Sequence, residues 1–120
     1  LPAVLIVEDN PDLRHFISHA LRDNYQVLEA ENGLKGYKMA ISMVPDLIIS
    51  DVMMPVMDGP ALIRALQRIN PGLLIIAASG LDANGAVARA SLSGIEYFLP
   101  KPYSAEKLLN TLHTALPAKP

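Results

Sequence analysis

Polar side chains with complementary chemistry follow short apolar runs at separate places along this 120-residue sequence. They are Glu8, Asp9, Asp51, Ser79 and Lys101. Carboxylates packed together repel one another unless a cation lies between them, and hard oxygen ligands suit Mg²⁺. A lysine and a hydroxyl beside such a cation can hold phosphoryl oxygens, and a carboxylate can attack phosphorus to form an acyl phosphate. The set predicts magnesium-dependent phosphoryl chemistry, with Asp51 as the central candidate nucleophile.

The composition excludes several other kinds of chemistry. The chain has no cysteine, which excludes disulfides, thiolate catalysis and cysteine-ligated metals. Ten basic and 12 acidic residues give a net charge of −2, which argues against direct binding to nucleic acid or to a membrane surface. The longest apolar run, Leu73–Ala78, is far shorter than the roughly 20 residues that a bilayer span needs. We therefore expect a cytoplasmic domain.

Apolar runs and helical stripes alternate along the chain. We predict strands at Ala3–Val7, Gln26–Ala30, Leu47–Ile49, Leu73–Ala78 and Tyr97–Leu99. Asn10 and Ser104 are predicted helix caps, and the segment from Asp82 to Ser93 is predicted to be a further helix. This alternation predicts a (βα)5 α/β fold, a three-layer sandwich around a five-stranded parallel sheet. Residues 1–116 would form one domain and residues 117–120 a short tail.

The apolar stripes of the helices predict which faces are buried. The predicted stripes are Leu13, Phe16, Ile17, Ala20 and Leu21; Leu34, Tyr37, Ile41 and Val44; Leu62, Ile63, Leu66 and Ile69; and Leu108, Leu109, Leu112, Ala115 and Leu116. In open parallel sheets, ligands bind beyond the carboxyl ends of the strands. The polar set named above follows these ends, so its members should converge at one edge of the sheet.

Four segments resemble the signatures of the receiver domain of two-component response regulators. They are Val4–Asn10, Pro45–Gly59, Ala78–Gly80 and Phe98–Pro102. The resemblance implies a flavodoxin-like fold. It also implies that a histidine kinase or phosphotransfer domain donates a phosphoryl group to an aspartate, with Mg²⁺ as the cofactor and Mn²⁺ as a substitute.

The resemblance also implies a role for each residue at the acidic end of the site. Asp51 corresponds to the phosphoacceptor, and Asp9 to a direct metal ligand. Glu8 would bind the metal through water, and the backbone carbonyl of Met53 would be a further ligand.

The remaining motif positions correspond to the family's switch. Ser79 corresponds to the hydroxyl that bonds the phosphoryl group, and Lys101 to its ion-pair partner. Phe98 corresponds to the switch aromatic, and the Lys101–Pro102 bond to a peptide that is cis in the family.

Partner surfaces follow from the same resemblance. The family docks its kinase partly through the first helix, where the candidates are Arg14, His15, Ser18 and Arg22. The output protein or domain would be contacted through Asp82–Ser93, the last strand and the last helix. The segments Gly59–Arg64 and Ala78–Gly80 resemble those of receivers appended to hybrid sensor kinases. We therefore expect a cytoplasmic domain that such a kinase can tether to a membrane. His19 lies four residues after His15, but we expect both to be surface residues rather than zinc ligands.

The chain departs from the common family pattern at the site. Glu8 stands where aspartate is commoner, and Phe98 stands where tyrosine is commoner. Met53 and Leu81 occupy the positions that tune dephosphorylation, and neither side chain can orient an attacking water. We therefore expect a long-lived phosphoryl group.

Other functions stay open at this point. The domain would catalyse its own phosphorylation and dephosphorylation, and it would not be an enzyme that acts on an outside metabolite. One alternative is a receiver-like interaction domain that works without phosphorylation. Another is a metal-dependent phosphohydrolase with Asp51 as nucleophile, although Met53 stands where such enzymes commonly need a general acid. A flavin-binding flavodoxin is disfavoured, since no Ser/Thr-rich phosphate loop follows the first strand.

Overall fold

The computed structural model of the chain describes residues 1–51, 59–70, 72–79, 97–100 and 102–116. The strands are β1 (Ala3–Val7), β2 (Gln26–Ala30), β3 (Leu47–Asp51), β4 (Leu74–Ser79) and β5 (Tyr97–Pro100). The helices are α1 (Pro11–Leu21), α2 (Gly33–Met43), α3 (Gly59–Ile69) and a C-terminal helix (Ala105–Ala115). The strands pair in parallel in the order β2-β1-β3-β4-β5, which confirms the predicted α/β fold with a parallel sheet.

The neighbouring strands β1 and β3 are buried on both faces, as their unbroken apolar runs predict. Val4, Leu5 and Ile6 of β1 have no exposed surface. Successive residues point to opposite faces, so one strand supplies two cores. Val4 and Ile6 pack with residues of α1 and the C-terminal helix. Leu5 packs with Val7, Ile48 of β3 and Leu66 of α3 on the other face. The sheet therefore lies between two helical layers.

Helix boundaries follow the predicted capping residues. The Asn10 side-chain oxygen accepts hydrogen bonds from the backbone N–H groups of Asp12 and Leu13, at 2.9 and 3.1 Å. The Ser104 hydroxyl accepts one from the Lys107 N–H at 3.1 Å. Each bond satisfies a donor that the first turn of a helix leaves without an intrahelical partner. Both predicted caps are confirmed.

The predicted apolar stripe of α2 is wrong at three of its four positions. Leu34, Ile41 and Val44 are 43, 50 and 67% exposed, whereas Tyr37 is half-buried against the core and Gly33 and Gly36 are the buried residues of this helix. Glycine lets α2 approach β1 closely, and the three exposed side chains lie away from that contact. On α1, Phe16 is 40% exposed, while the stripe of the C-terminal helix is buried or half-buried as predicted. On α3, Leu66 is buried and Ile69 is 50% exposed, and the side chains of Leu62 and Ile63 lie outside the described residues.

Three strands run further toward the candidate site than predicted. β3 continues through Asp51, β4 begins at Leu74 and ends at Ser79, and β5 ends at Pro100. Several predictions fall outside the described residues. These are the helix over Asp82–Ser93, the roles of Met53, Leu81 and Lys101, the Lys101–Pro102 peptide and the tail at 117–120. In the part of the chain that the structure describes, no helix combines the length and apolar character that a bilayer crossing requires.

Candidate functional site

The register of β1 against β3 brings the acidic pair level with Asp51. Val7, the last residue of β1, pairs with Ser50 of β3. The residues that come next along the sequence are Glu8 after Val7 and Asp51 after Ser50. Neighbouring strands lie about 4.8 Å apart, so the carboxylates that follow β1 start one strand spacing from the end of β3.

The register of β3, β4 and β5 extends the same edge of the sheet. Asp51 pairs with Ala78, which places Ser79 one residue further along β4. Ser79 pairs with Pro100, the last residue of β5 and the neighbour of Lys101 in the sequence. The backbone positions of Glu8, Asp51 and Ser79 therefore meet at the carboxyl edge of the sheet, as the alternation of strands and helices predicts, while Lys101 lies outside the described residues.

The acidic pair that follows β1 contains two different kinds of carboxylate. Glu8 is only 2% exposed, and its N–H donates to the carbonyl of Ala30 at 3.1 Å. Its Oε2 accepts a hydrogen bond from the N–H of Asn10 at 3.1 Å, which folds the side chain back over its own loop. Asp9 is exposed. One carboxylate is therefore held by the protein, and the other faces solvent.

Arg14 of α1 is the residue of the site whose role the sequence did not reveal. Its Nη1 donates to the carbonyl of Glu8 at 2.8 Å, and its Nε lies 3.3 Å from Oε1 of Glu29 on β2. The Arg14 side chain is only 15% exposed. The only signal in the sequence is an arginine in the second turn of a helix that starts just after an acidic pair.

The four candidates for the partner face differ in exposure. His15 and Arg22 are exposed, while Ser18 is half-buried. Arg14 contacts Glu8 and Glu29 within the chain, and its place on the partner face stays a prediction. His19 is exposed, as predicted, and His113 of the C-terminal helix is exposed as well.

A second charged pair flanks the acidic edge beyond β2. Lys35, in the first turn of α2, donates a hydrogen bond to the carboxylate of Glu31. This bond, with the charge of the Lys35 ammonium, lowers the pKa of Glu31 below its ordinary value. Both side chains are more than half exposed, so solvent screens the pair and it adds little to stability.

The described side chains form no group of three or more histidine or carboxylate side chains that could hold a metal. The side chain of Asp51 lies outside that description. Glu8 and Asp9 follow β1 at this edge, and Asp51 ends the neighbouring strand β3. Carboxylate oxygens are the ligand type that Mg²⁺ prefers.

Comparison with known proteins agrees with this geometry. Residues 4–113 match the family model described as the response regulator receiver domain. The chemotaxis protein CheY of Listeria monocytogenes is 32% identical over 114 residues, which cover 93% of this chain and 96% of CheY.

Similar segments also occur within much longer kinases. The sensor histidine kinase TmoS of Ectopseudomonas mendocina is 41% identical over 110 residues, which cover 89% of this chain and 11% of the kinase. The hybrid signal transduction histidine kinase D of Dictyostelium discoideum is 35% identical over 112 residues, which cover 90% of this chain and 7% of the kinase. The chain thus spans only a small part of these relatives.

Solved structures show the same fold. The chemotaxis response regulator CheY4 of Vibrio cholerae superposes with a TM-score of 0.87 at 31% identity, covering 97% of this chain and 99% of CheY4. The receiver domain of the sensor histidine kinase PA1611 of Pseudomonas aeruginosa PAO1 has a TM-score of 0.87 at 27% identity, with 98% of both chains covered. That structure holds a magnesium ion coordinated in its active site cleft.

Proposed function

The chain belongs to the family of response regulator receiver domains, and on that premise we propose that it accepts a phosphoryl group on Asp51. The observation that carries this proposal is the strand register. It sets Asp51 one strand away from the acidic pair on one side and from Ser79 on the other. A carboxylate between a metal-binding pair and a hydroxyl donor suits phosphoryl transfer.

The reaction balances without any oxidant or reductant. An Asp51 carboxylate oxygen attacks the phosphorus of a phosphohistidine, and the P–N bond breaks as the new P–O bond forms. The imidazole nitrogen leaves with the bonding pair and is protonated, and Asp51 becomes an acyl phosphate. Hydrolysis by water later returns the carboxylate and inorganic phosphate.

Mg²⁺ is the cofactor that fits the donor set, and the magnesium ion of the PA1611 receiver supports this assignment. When bound, Mg²⁺ would neutralise negative charge on the phosphoryl oxygens. Exposed Asp9 would bind it directly, and Glu8, whose carboxylate is folded onto its own loop, would act through water. The Met53 carbonyl would be a further ligand, and Mn²⁺ would substitute for Mg²⁺.

The phosphoryl group would act as a switch through the residues beside it at the carboxyl edge of the sheet. It adds about 1.5 to 2 negative charges, which Ser79 and Lys101 would contact by a hydrogen bond and an ion pair. Phe98 would follow the movement of Ser79. The signal would leave through the segment Asp82–Ser93, β5 and the C-terminal helix, and a helix over that segment would complete the proposed (βα)5 arrangement. Apolar Met53 and Leu81 leave hydrolysis slow.

The donor would be a histidine kinase or a phosphotransfer domain, and the domain would process no outside metabolite. The kinases that contain similar segments support an origin within a hybrid sensor kinase. The receiver would then work in the cytoplasm, with a membrane tether supplied by the rest of such a kinase. Exposed His15 and Arg22 on α1 would face the donor.

The test is intact-mass measurement of the protein after incubation with acetyl phosphate, with Mg²⁺ or with EDTA. We expect one added phosphoryl group in the wild type with Mg²⁺, and none with EDTA or in the Asp51→Asn variant. If the wild type gains no mass, the assay is repeated with a phosphorylated phosphotransfer domain as donor. A wild type that ignores both donors would instead be an interaction domain that works without phosphorylation.

A further inference from the structure

We propose that Arg14 is a positioning residue for the acidic pair Glu8–Asp9. Its guanidinium joins the main chain at the end of β1 to β2, and thereby holds the pair in the geometry that binds the metal. This inference rests on the proposed function, because it concerns how well the same site binds Mg²⁺.

The contacts of Arg14 reach two strands at once. Nη1 donates to the Glu8 carbonyl at 2.8 Å, a short distance typical of a charged donor. Nε lies 3.3 Å from the carboxylate of Glu29, whose strand β2 pairs with β1. With the Arg14 side chain only 15% exposed, water has little access to replace the hydrogen bond to Glu8.

The carbonyl that Arg14 contacts belongs to the peptide that links Glu8 to Asp9. A peptide unit is planar, so fixing its oxygen also fixes the plane from which the Asp9 Cα departs. The N–H of the same Glu8 is fixed by Ala30, and its Oε2 by the N–H of Asn10. Arg14 adds a restraint on the side of Asp9, which is the carboxylate that faces solvent.

The base of the Arg14 side chain is itself rigid. α1 begins at a satisfied Asn10 cap, and the Arg14 N–H donates to the Asn10 carbonyl at 2.9 Å. Ile17 and Leu21 anchor the same helix in the core, at 1 and 0% exposed. A guanidinium is a planar fork that can hold two acceptors in fixed directions, whereas a lysine ammonium is a single point charge.

An opposing effect must be separated from positioning. A positive charge beside an acidic pair weakens the attraction of a cation, so loss of Arg14 by itself would strengthen Mg²⁺ binding. Glu29 balances most of that charge because it forms an ion pair with Arg14. Replacement by lysine keeps the charge and removes the fork, so it isolates the positioning effect.

The experiment measures Mg²⁺ affinity of the purified chain by calorimetry, at a temperature where circular dichroism shows each variant to be folded. We expect Arg14→Lys and Arg14→Gln each to weaken Mg²⁺ binding about tenfold, the lower end of what loss of a supporting contact costs a metal site. Arg68→Lys and Arg68→Gln are the matched controls, because Arg68 is exposed on α3, and we expect them to bind as the wild type does.

Each outcome is distinguishable. Unchanged affinity in Arg14→Lys would overturn the positioning role, and so would tighter binding in Arg14→Gln alone, which would leave only the charge effect. A merely structural role would lower the melting temperature but leave the affinity of the folded protein unchanged. A wild type without Mg²⁺ binding would overturn the inference and remove the metal from the proposed function.

A second variant changes Glu29, the other partner of the Arg14 guanidinium; the contacts of Arg14 with the Glu8 carbonyl and with Glu29 together are called the clamp. Glu29→Gln removes the ion pair at a half-exposed position, which makes loss of folding a small risk. We expect a smaller loss of Mg²⁺ affinity than in Arg14→Lys, and little further loss when the two are combined, because both act through one guanidinium. Additive losses in the double variant would contradict a shared clamp.

Discussion

Replacing Gly36 with alanine tests the close approach of α2 to the strand that leads into the acidic pair. An added Cβ would lie 2.7 Å from Cγ2 and 3.1 Å from Cγ1 of Val7. Val7 is 1% exposed in a central strand, and its branched side chain has few alternative rotamers. The contact therefore cannot be relieved by rotation of a flexible side chain, and α2 or β1 must move.

The magnitude is a difference between two effects. Alanine is favoured over glycine inside a helix by about 1 kcal/mol. Overpacking of a well-packed core costs about 1–3 kcal/mol, and the rigid position of Val7 favours the upper half of that range. We expect a net loss of about 1–2 kcal/mol in the free energy of unfolding, which for a domain of this size lowers the melting temperature by roughly 4–10 °C.

The assay is urea unfolding of the wild type, Gly36→Ala and the control Gly72→Ala. At exposed Gly72, the one neighbour that an added Cβ would meet among the described residues is Asn70 Oδ1, at 3.6 Å, so stability should stay within about 0.5 kcal/mol. In the Gly36→Ala/Val7→Ala double variant the cost of the added methyl group should largely disappear. A Gly36→Ala variant as stable as the wild type would refute this packing argument.

Three further outcomes follow from single contacts. Asn10→Ala should lower the free energy of unfolding by about 1 kcal/mol in urea titrations, since the α1 cap is lost, and an unchanged midpoint would contradict that role. Burial raises the pKa of the Tyr25 phenol above its ordinary 10.0, so its contribution to stability is fully present below that pH and is lost as pH rises through the folded-state value. The wild type should thus lose stability above pH 10 more steeply than Tyr25→Phe, and parallel curves would oppose this. Lys35→Ala should raise the pKa of the Glu31 carboxyl, measured by NMR, because the hydrogen bond and charge that lower it are lost. The contribution of Glu31 to stability is present at neutral pH and is lost as pH falls through the pKa of Glu31 in the folded state. An unshifted titration of Glu31 in the variant would exclude the ion pair in solution.

The elements of the fold could be predicted because their ends carry local chemical signals. Asparagine and serine are favoured at helix starts because their side chains accept hydrogen bonds from free backbone donors, and Asn10 and Ser104 do so here. The predicted strands Ala3–Val7 and Gln26–Ala30 match the observed ones residue for residue. The buried face of α2 could not be predicted in this way. Its large apolar side chains suggested the face, but the actual face is set by how closely Gly36 lets the helix approach β1.

The candidate site likewise has a part that could be predicted from the sequence and a part that could not. Convergence at the sheet edge follows from parallel pairing alone, so the positions of Asp51 and Ser79 were predictable before any contact was known. The role of Arg14 was not, because its acceptor is a main-chain carbonyl, which has no signature in the sequence. An arginine on a helix next to exposed histidines looks the same whether it faces a partner or its own chain.

The central claim is that Asp51, rather than another carboxylate at this edge, carries the phosphoryl group. An acyl phosphate is reduced by borohydride to the corresponding alcohol, so a phosphorylated aspartate becomes homoserine, and peptide mass spectrometry then locates it. After incubation with acetyl phosphate and Mg²⁺, we predict homoserine at position 51 alone. Reduction at Glu8 or Asp9, with Asp51 intact, would contradict the assignment of the nucleophile.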